Sequence, residues 1–100
     1  MPLDYTPLIL RLAEEASSLE ELARLAVENG FVAYETVIEL PRRIDGLGSR
    51  VHGLAVYAGA RLAGFAVEGD GGNPRAYAEL SRLLGAPVIV VERVGEEAAA

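Results

Sequence analysis

The sequence contains no cysteine, no lysine and no glutamine, and its only histidine is His52. Without cysteine there is no disulfide, no thiolate metal site and no thiol nucleophile. Without lysine, all nine cations are arginines. Asparagine occurs only at Asn29 and Asn73. Few thermolabile amides and no cysteine fit a thermophilic source. The missing lysine does not, and a GC-rich coding bias accounts equally well for the prevalence of Ala, Gly, Val and Arg. No apolar run approaches the ~20 residues that span a bilayer. The start, Met1-Pro2-Leu3-Asp4, has neither a positive region nor a signal-type apolar block. The expected location is therefore the cytoplasm, with no membrane partner. The net charge is −6. Phosphate backbones are bound through cation density, so nucleic acid is disfavoured as a partner. Arg42, Arg43 and Arg50 form the nearest thing to a basic cluster, and their plain reading is solvated residues around a turn.

What is present is enough for one core. The chain has 100 residues, 51% of them apolar. A chain of this length buries roughly 65% of its unfolded surface. A single domain over residues 1–94 is expected, followed by an acidic tail at 95–100 that frays.

Thr6-Pro7 reads as an N-cap with proline at the first helical position. Leu8, Ile9, Leu12 and Ala16 follow helical spacing. Ser18 with Glu21 is a capping box for a second helical segment, striped by Leu19, Leu22, Ala23 and Ala26 and ended by Asn29-Gly30. The two segments are either one kinked helix or two packed ones. Residues 31–40 read as a strand with Val32, Tyr34, Thr36, Ile38 and Leu40 towards the core. Pro41 ends it, and residues 42–50 read as a loop. Strands at 51–57 and 61–68 form a hairpin about Gly59. After a glycine-rich stop, Asn73-Pro74 opens a helix that Gly85 closes, with Tyr77, Leu80, Leu83 and Leu84 inward. Residues 88–94 read as a last strand, buried on both faces. The expected class is α/β (α+β, mixed sheet) in the order α(α)-β-β-β-α-β. The crossover helix makes the fourth strand parallel to one of the first three.

Helix, three-strand meander, helix, strand resembles the core of the restriction-endonuclease-like, or PD-(D/E)XK, nuclease superfamily, over nearly the whole chain. That resemblance implies an aspartate early on the second strand, often as Arg-x-Asp, and a Glu-x-Lys on the third. The carboxylates hold Mg²⁺ or Mn²⁺, the metal activates water, and the lysine orients that water. Arg50-Val51-His52 falls where Arg-x-Asp belongs. Phe65-Ala66-Val67-Glu68 falls where Phe-Glu-Val-Lys belongs. In this alignment the aspartate is His52, the glutamate Ala66 and the lysine Glu68. The resemblance then implies a degenerate nuclease fold from an archaeal or thermophilic source, without nuclease chemistry and without a cofactor.

A second alignment keeps more acids. Arg43-Ile44-Asp45 also reads Arg-x-Asp. Glu68 and Asp70 stand in for the third-strand pair, and Glu35 or Glu39 adds a carboxylate, for a Mg or Mn site. Arg61 or Arg75 replaces the lysine, although arginine is a poor proton shuttle.

Plainer readings stand beside these. A lone histidine on a strand is usually a packed or surface residue. Glu35 and Glu39 read as the solvent side of the first strand. Residues 68–72 lack the acid spacing of a calcium loop and the lysine of a phosphate loop. Tyr57 and Tyr77 read as core aromatics with wet hydroxyls.

The leading expectation is a non-catalytic nuclease-fold module acting as subunit, scaffold or homodimer partner. The enzyme alternative is a divergent metal-dependent nuclease using Asp45, Glu68 and Asp70. A double-stranded-RNA-binding module has a similar element order. It needs lysines at the start of its second helix, where this chain has only Arg75.

Overall fold

The computed structural model describes residues 4–69 and 73–92. Three helices and four strands occur in the order α1 (Thr6–Glu15), α2 (Leu19–Glu28), β1 (Val32–Ile44), β2 (Gly48–Ala58), β3 (Arg61–Gly69), α3 (Pro74–Leu84) and β4 (Val88–Glu92). The strands form one mixed sheet in sequence order. β1, β2 and β3 are antiparallel, and β4 lies parallel to β3. This is the expected α+β layout.

The helix ends show why the segments form where they do. Residues 6–28 are two helices, not one, because Ala16 turns extended (ψ 139°) between them. Ser18 Oγ accepts the Glu21 N–H at 3.0 Å. The return arm of that capping box goes to Ser17, whose N–H donates to Glu21 Oε1 at 2.8 Å. At the first helix the expected cap moves back. Thr6 is already helical, and the Asp4 carboxylate accepts its N–H at 3.0 Å. Asn73 caps α3 through Ala76, and Gly85 ends it at φ 68°.

The sheet is covered on both faces. α1 and α2 bury Ile9, Leu12, Leu22 and Ala26 against Leu54, Val56, Ala66, Ile89 and Val91. α3 buries Ala76 and Leu80 against Ile44, Val51, Ala55, Phe65 and Val67. Each buried Leu, Ile, Val or Phe side chain among them contributes about 1.5–3 kcal/mol on leaving water. The two-sided cover explains the near-continuous apolar run 54–56 and 63–67 in the two central strands.

Two readings of the strands need correction. Pro41 does not end β1, which continues to Ile44, and most of residues 42–50 is strand rather than loop. The pairs Glu39↔Arg50 and Ile44↔Gly48 leave residues 40–43 of β1 opposite Ser49 alone. That irregularity, at the sheet edge, is where a proline without an N–H is tolerated. The inward face of β1 also changes along its length. Val32 and Tyr34 are exposed, while Phe31 is buried under α2. Only from Thr36 onward are the even-numbered residues half-buried, and Ile38 and Leu40 pack on the α3 side. The cause is that different helices cover the two ends of this strand. In the last strand Ile89 and Val91 are buried as expected, but Val88 and Val90 on the other face are only half-buried, and it is an edge strand, described only to Glu92.

Candidate functional site

The hairpin of β2 and β3 holds the positions that the sequence singles out. Gly59 takes φ 64° at the turn, the positive value that tight hairpins require. Tyr57 pairs with Leu62 but Val56 pairs with Gly64, so Ala63 is one extra residue on β3. This bulge decides the site. Side chains alternate with period two, so a one-residue shift exchanges the faces of every residue beyond it. With the bulge, Leu54 faces Ala66 and Ala55 faces Phe65. Ala66 therefore points to the α1–α2 side, and Phe65 to the α3 side.

Gly53 makes the hairpin close. A Cβ there would lie 2.4 Å from the Ala66 carbonyl oxygen and 2.6 Å from Cζ of Phe65. The Phe65 ring, fully buried, occupies the space that a side chain at 53 would need. Glycine in a strand often marks such a close approach.

The three positions of the first alignment lie on one face. Ala66 is fully buried in the core beneath α1 and α2, opposite Leu54. Continuing the Leu54↔Ala66 register by two residues sets Glu68 opposite His52, at the exposed end of the hairpin. Glu35, on the same face of β1, brings Oε2 to 3.5 Å from His52 Nε2, and both side chains are more than half exposed. Imidazole and carboxylate attract only when the histidine is protonated, and at this exposure the contact is a weak one. Glu39 approaches Arg50 on the next rung, at 3.7 Å.

The second alignment places its acids apart. Asp45 sits at the tip of the β1–β2 turn, where its carbonyl oxygen accepts the Asn73 side chain at 3.4 Å. It shares a shallow pocket of about 440 Å³ with Arg43, Asn73, Arg75 and Glu79, at the start of α3. Glu35 and Glu68 lie on the opposite face from α3. Asp70 is outside the described residues. Among the described residues, no three His, Cys, Asp or Glu side chains are grouped closely enough to hold a metal ion. Arg75 lines the Asp45 pocket, and Arg61 is at the hairpin turn. Arg42 is tied to α3 by an ion pair with Glu79.

Two features escaped the reading of residues. Tyr34 and Tyr57 stack on the α3 side, ring centroids 5.8 Å apart and planes within 10°. Hydrogen bonding to the Tyr57 side chain raises the pKa of the Tyr34 hydroxyl. Their diagonal placement on neighbouring strands follows from register alone, which no local signal carries. The second is the outer edge of β4, flanked by grooves on both sides.

No helix among the described residues is long and apolar enough to cross a membrane. No protein-family model, curated protein or solved structure matches the chain.

Proposed function

We propose that this protein is a nuclease-fold module that works by association with protein rather than by phosphodiester cleavage. Its topology supports the resemblance to the restriction-endonuclease-like core: a meander of three strands, a crossover helix and a parallel fourth strand. One observation carries the non-catalytic part. The position that aligns with the metal-binding glutamate is Ala66, with no exposed surface, packed under α1 and α2. A metal centre there needs oxygen ligands and open coordination sites for water and phosphate. The site is instead filled by core side chains. The reading includes a cytoplasmic setting, a thermophilic source and no cofactor.

The test is incubation of the full chain with single- and double-stranded DNA, RNA and branched DNA, in Mg²⁺ and in Mn²⁺. The expected result is no cleavage in either metal. Cleavage that Glu68→Ala abolishes would instead establish the second reading, a divergent nuclease built on displaced carboxylates. What favours that reading is that two of its four acids, Glu35 and Glu68, lie on one exposed face of the sheet. RNA binding is the weakest of the three, given the net charge of −6.

A further inference from the structure

The chain holds no cysteine and no tryptophan. Thiols are usually the first side chains that oxidants attack. With thiols and indoles both missing, a one-electron oxidant is left with the four tyrosines. The single methionine, Met1, reacts by taking up oxygen, which adds mass rather than removing it.

Two of the tyrosines are placed to react with each other. Tyr34 and Tyr57 stack with ring centroids 5.8 Å apart and planes within 10°. A hydrogen bond joins their hydroxyls. Register sets this arrangement: Val32 pairs with Tyr57 and Tyr34 with Ala55, so the two tyrosines are diagonal neighbours on one face of the sheet. Tyr34 is exposed and Tyr57 half-buried. Tyr5 instead meets Phe31 edge-on, and phenylalanine has no hydroxyl to lose a proton. Tyr77 lies on α3, with its hydroxyl beside Gly69.

From these features we propose that the Tyr34–Tyr57 pair is a site of one-electron oxidation that closes into an intramolecular dityrosine, with a haem-peroxide or free-radical oxidant as co-reactant. The site is independent of both the association and the nuclease readings.

Each phenol gives up one electron and its hydroxyl proton. The resulting phenoxyl radicals carry unpaired density on oxygen and on the ring carbons ortho and para to it. The para carbon bears the side chain, so the rings join through an ortho carbon of each residue, Cε. Each joined carbon then loses its hydrogen as a proton and each oxygen regains one, which restores both aromatic rings. The net loss is two electrons and two protons. One hydrogen peroxide takes up all of them and becomes two waters.

The geometry favours this coupling over others. Hydroxyls that meet bring the carbons beside them close together. The new bond requires the rings to turn out of their stack, and the exposure of Tyr34 leaves room for that. The same exposure admits the oxidant and lets the protons leave to water. The bond ties the edge strand β1 to β2, and a cross-link of this kind restricts the unfolded chain.

The test is treatment of the dilute full chain with a haem peroxidase and one equivalent of hydrogen peroxide. A parallel sample receives two equivalents of hexachloroiridate(IV), an outer-sphere oxidant small enough to reach any exposed ring. The expected product is a monomer lighter by two hydrogens, with dityrosine fluorescence. Trypsin cuts after arginine, so peptide 25–42 should appear joined to peptide 51–61. Tyr34→Phe and Tyr57→Phe keep the rings and should each abolish this monomeric product, while Tyr5→Phe and Tyr77→Phe should leave it. The peptide map of the parent chain decides the matter even if a variant fails to fold. Dityrosine confined to covalent dimers overturns the proposal. So does a monomer that only gains oxygen, a cross-link that survives Tyr34→Phe, or a chain that neither oxidant changes.

Discussion

Leu54 and Ala66 face each other across the β2–β3 ladder, and helices α1 and α2 seal both from water. A carboxylate introduced at position 66 would enter this core among Ile9, Leu22 and Ile89 with no cation beside it. Ala66→Glu is therefore expected to destabilise the fold by about 3–5 kcal/mol, the range for an uncompensated buried charge. Urea unfolding reads the loss as a lower midpoint at unchanged slope. Calorimetric titration with Mg²⁺ should show no binding gained. A stable, metal-binding Ala66→Glu variant would mean that the surroundings of position 66 can open to water.

Gly53→Ala should also be costly, for a steric reason. The new methyl would meet a backbone carbonyl at 2.4 Å, which cannot swing aside, as well as the buried ring of Phe65. Overpacking of this kind costs about 1–3 kcal/mol. Gly30, with open space around it, serves as the contrast. Its φ of 90° makes alanine there a test of backbone strain alone. The two thermal unfolding midpoints, measured side by side, separate close approach from strain.

Ser18→Ala removes the oxygen that accepts the Glu21 amide at the start of α2. A loss of about 0.5–2 kcal/mol is expected. Glu21→Gln should keep most of the stability, since an amide oxygen can still accept from the Ser17 N–H. Denaturant titration of both variants checks the pair, and a loss in Glu21→Gln as large as in Ser18→Ala would show that the Glu21 charge at the helix start matters as much as the Ser18 hydrogen bond.

Acid should loosen the start of α1. The Thr6 backbone amide, followed by the Thr6 side chain, holds the Asp4 pKa below its ordinary value of 3.8. A carboxyl whose folded pKa is depressed contributes stability above its unfolded pKa and loses it as pH falls through the folded one. The Asp4 contribution is thus complete at neutral pH and vanishes only below about pH 4. Asp4 is solvent-exposed, so the effect is local. Amide exchange in the first turn of α1, compared between parent and Asp4→Asn, should differ at neutral pH and converge in strong acid.

Much of this architecture is legible in the residues because its signals are local. Ser18 with Glu21, Asn73-Pro74 and Gly85 mark helix boundaries through the chain's own amides, and all three act as their spacing predicts. Alternation and the Gly59 turn give the hairpin. Other features failed for want of a local cause. Val32 and Tyr34 have the pattern of inward residues, yet no helix covers them. Pro41 reads as a stop, but at an edge it needs no hydrogen-bond partner, so the strand runs on to Ile44.

The sequence by itself determined that the hairpin carries His52, Ala66 and Glu68, and that Ala66 and Glu68 share a face, since a strand's period is fixed by its backbone. Which face that is, only the tertiary structure decided. The extra residue at Ala63 turns Ala66 towards α1 and α2 and Phe65 towards α3, and the packing of those helices closes the position off. A bulge arises from the balance of packing on both sheet faces at once. No stretch of neighbouring residues encodes that balance, so it is settled only when both layers meet.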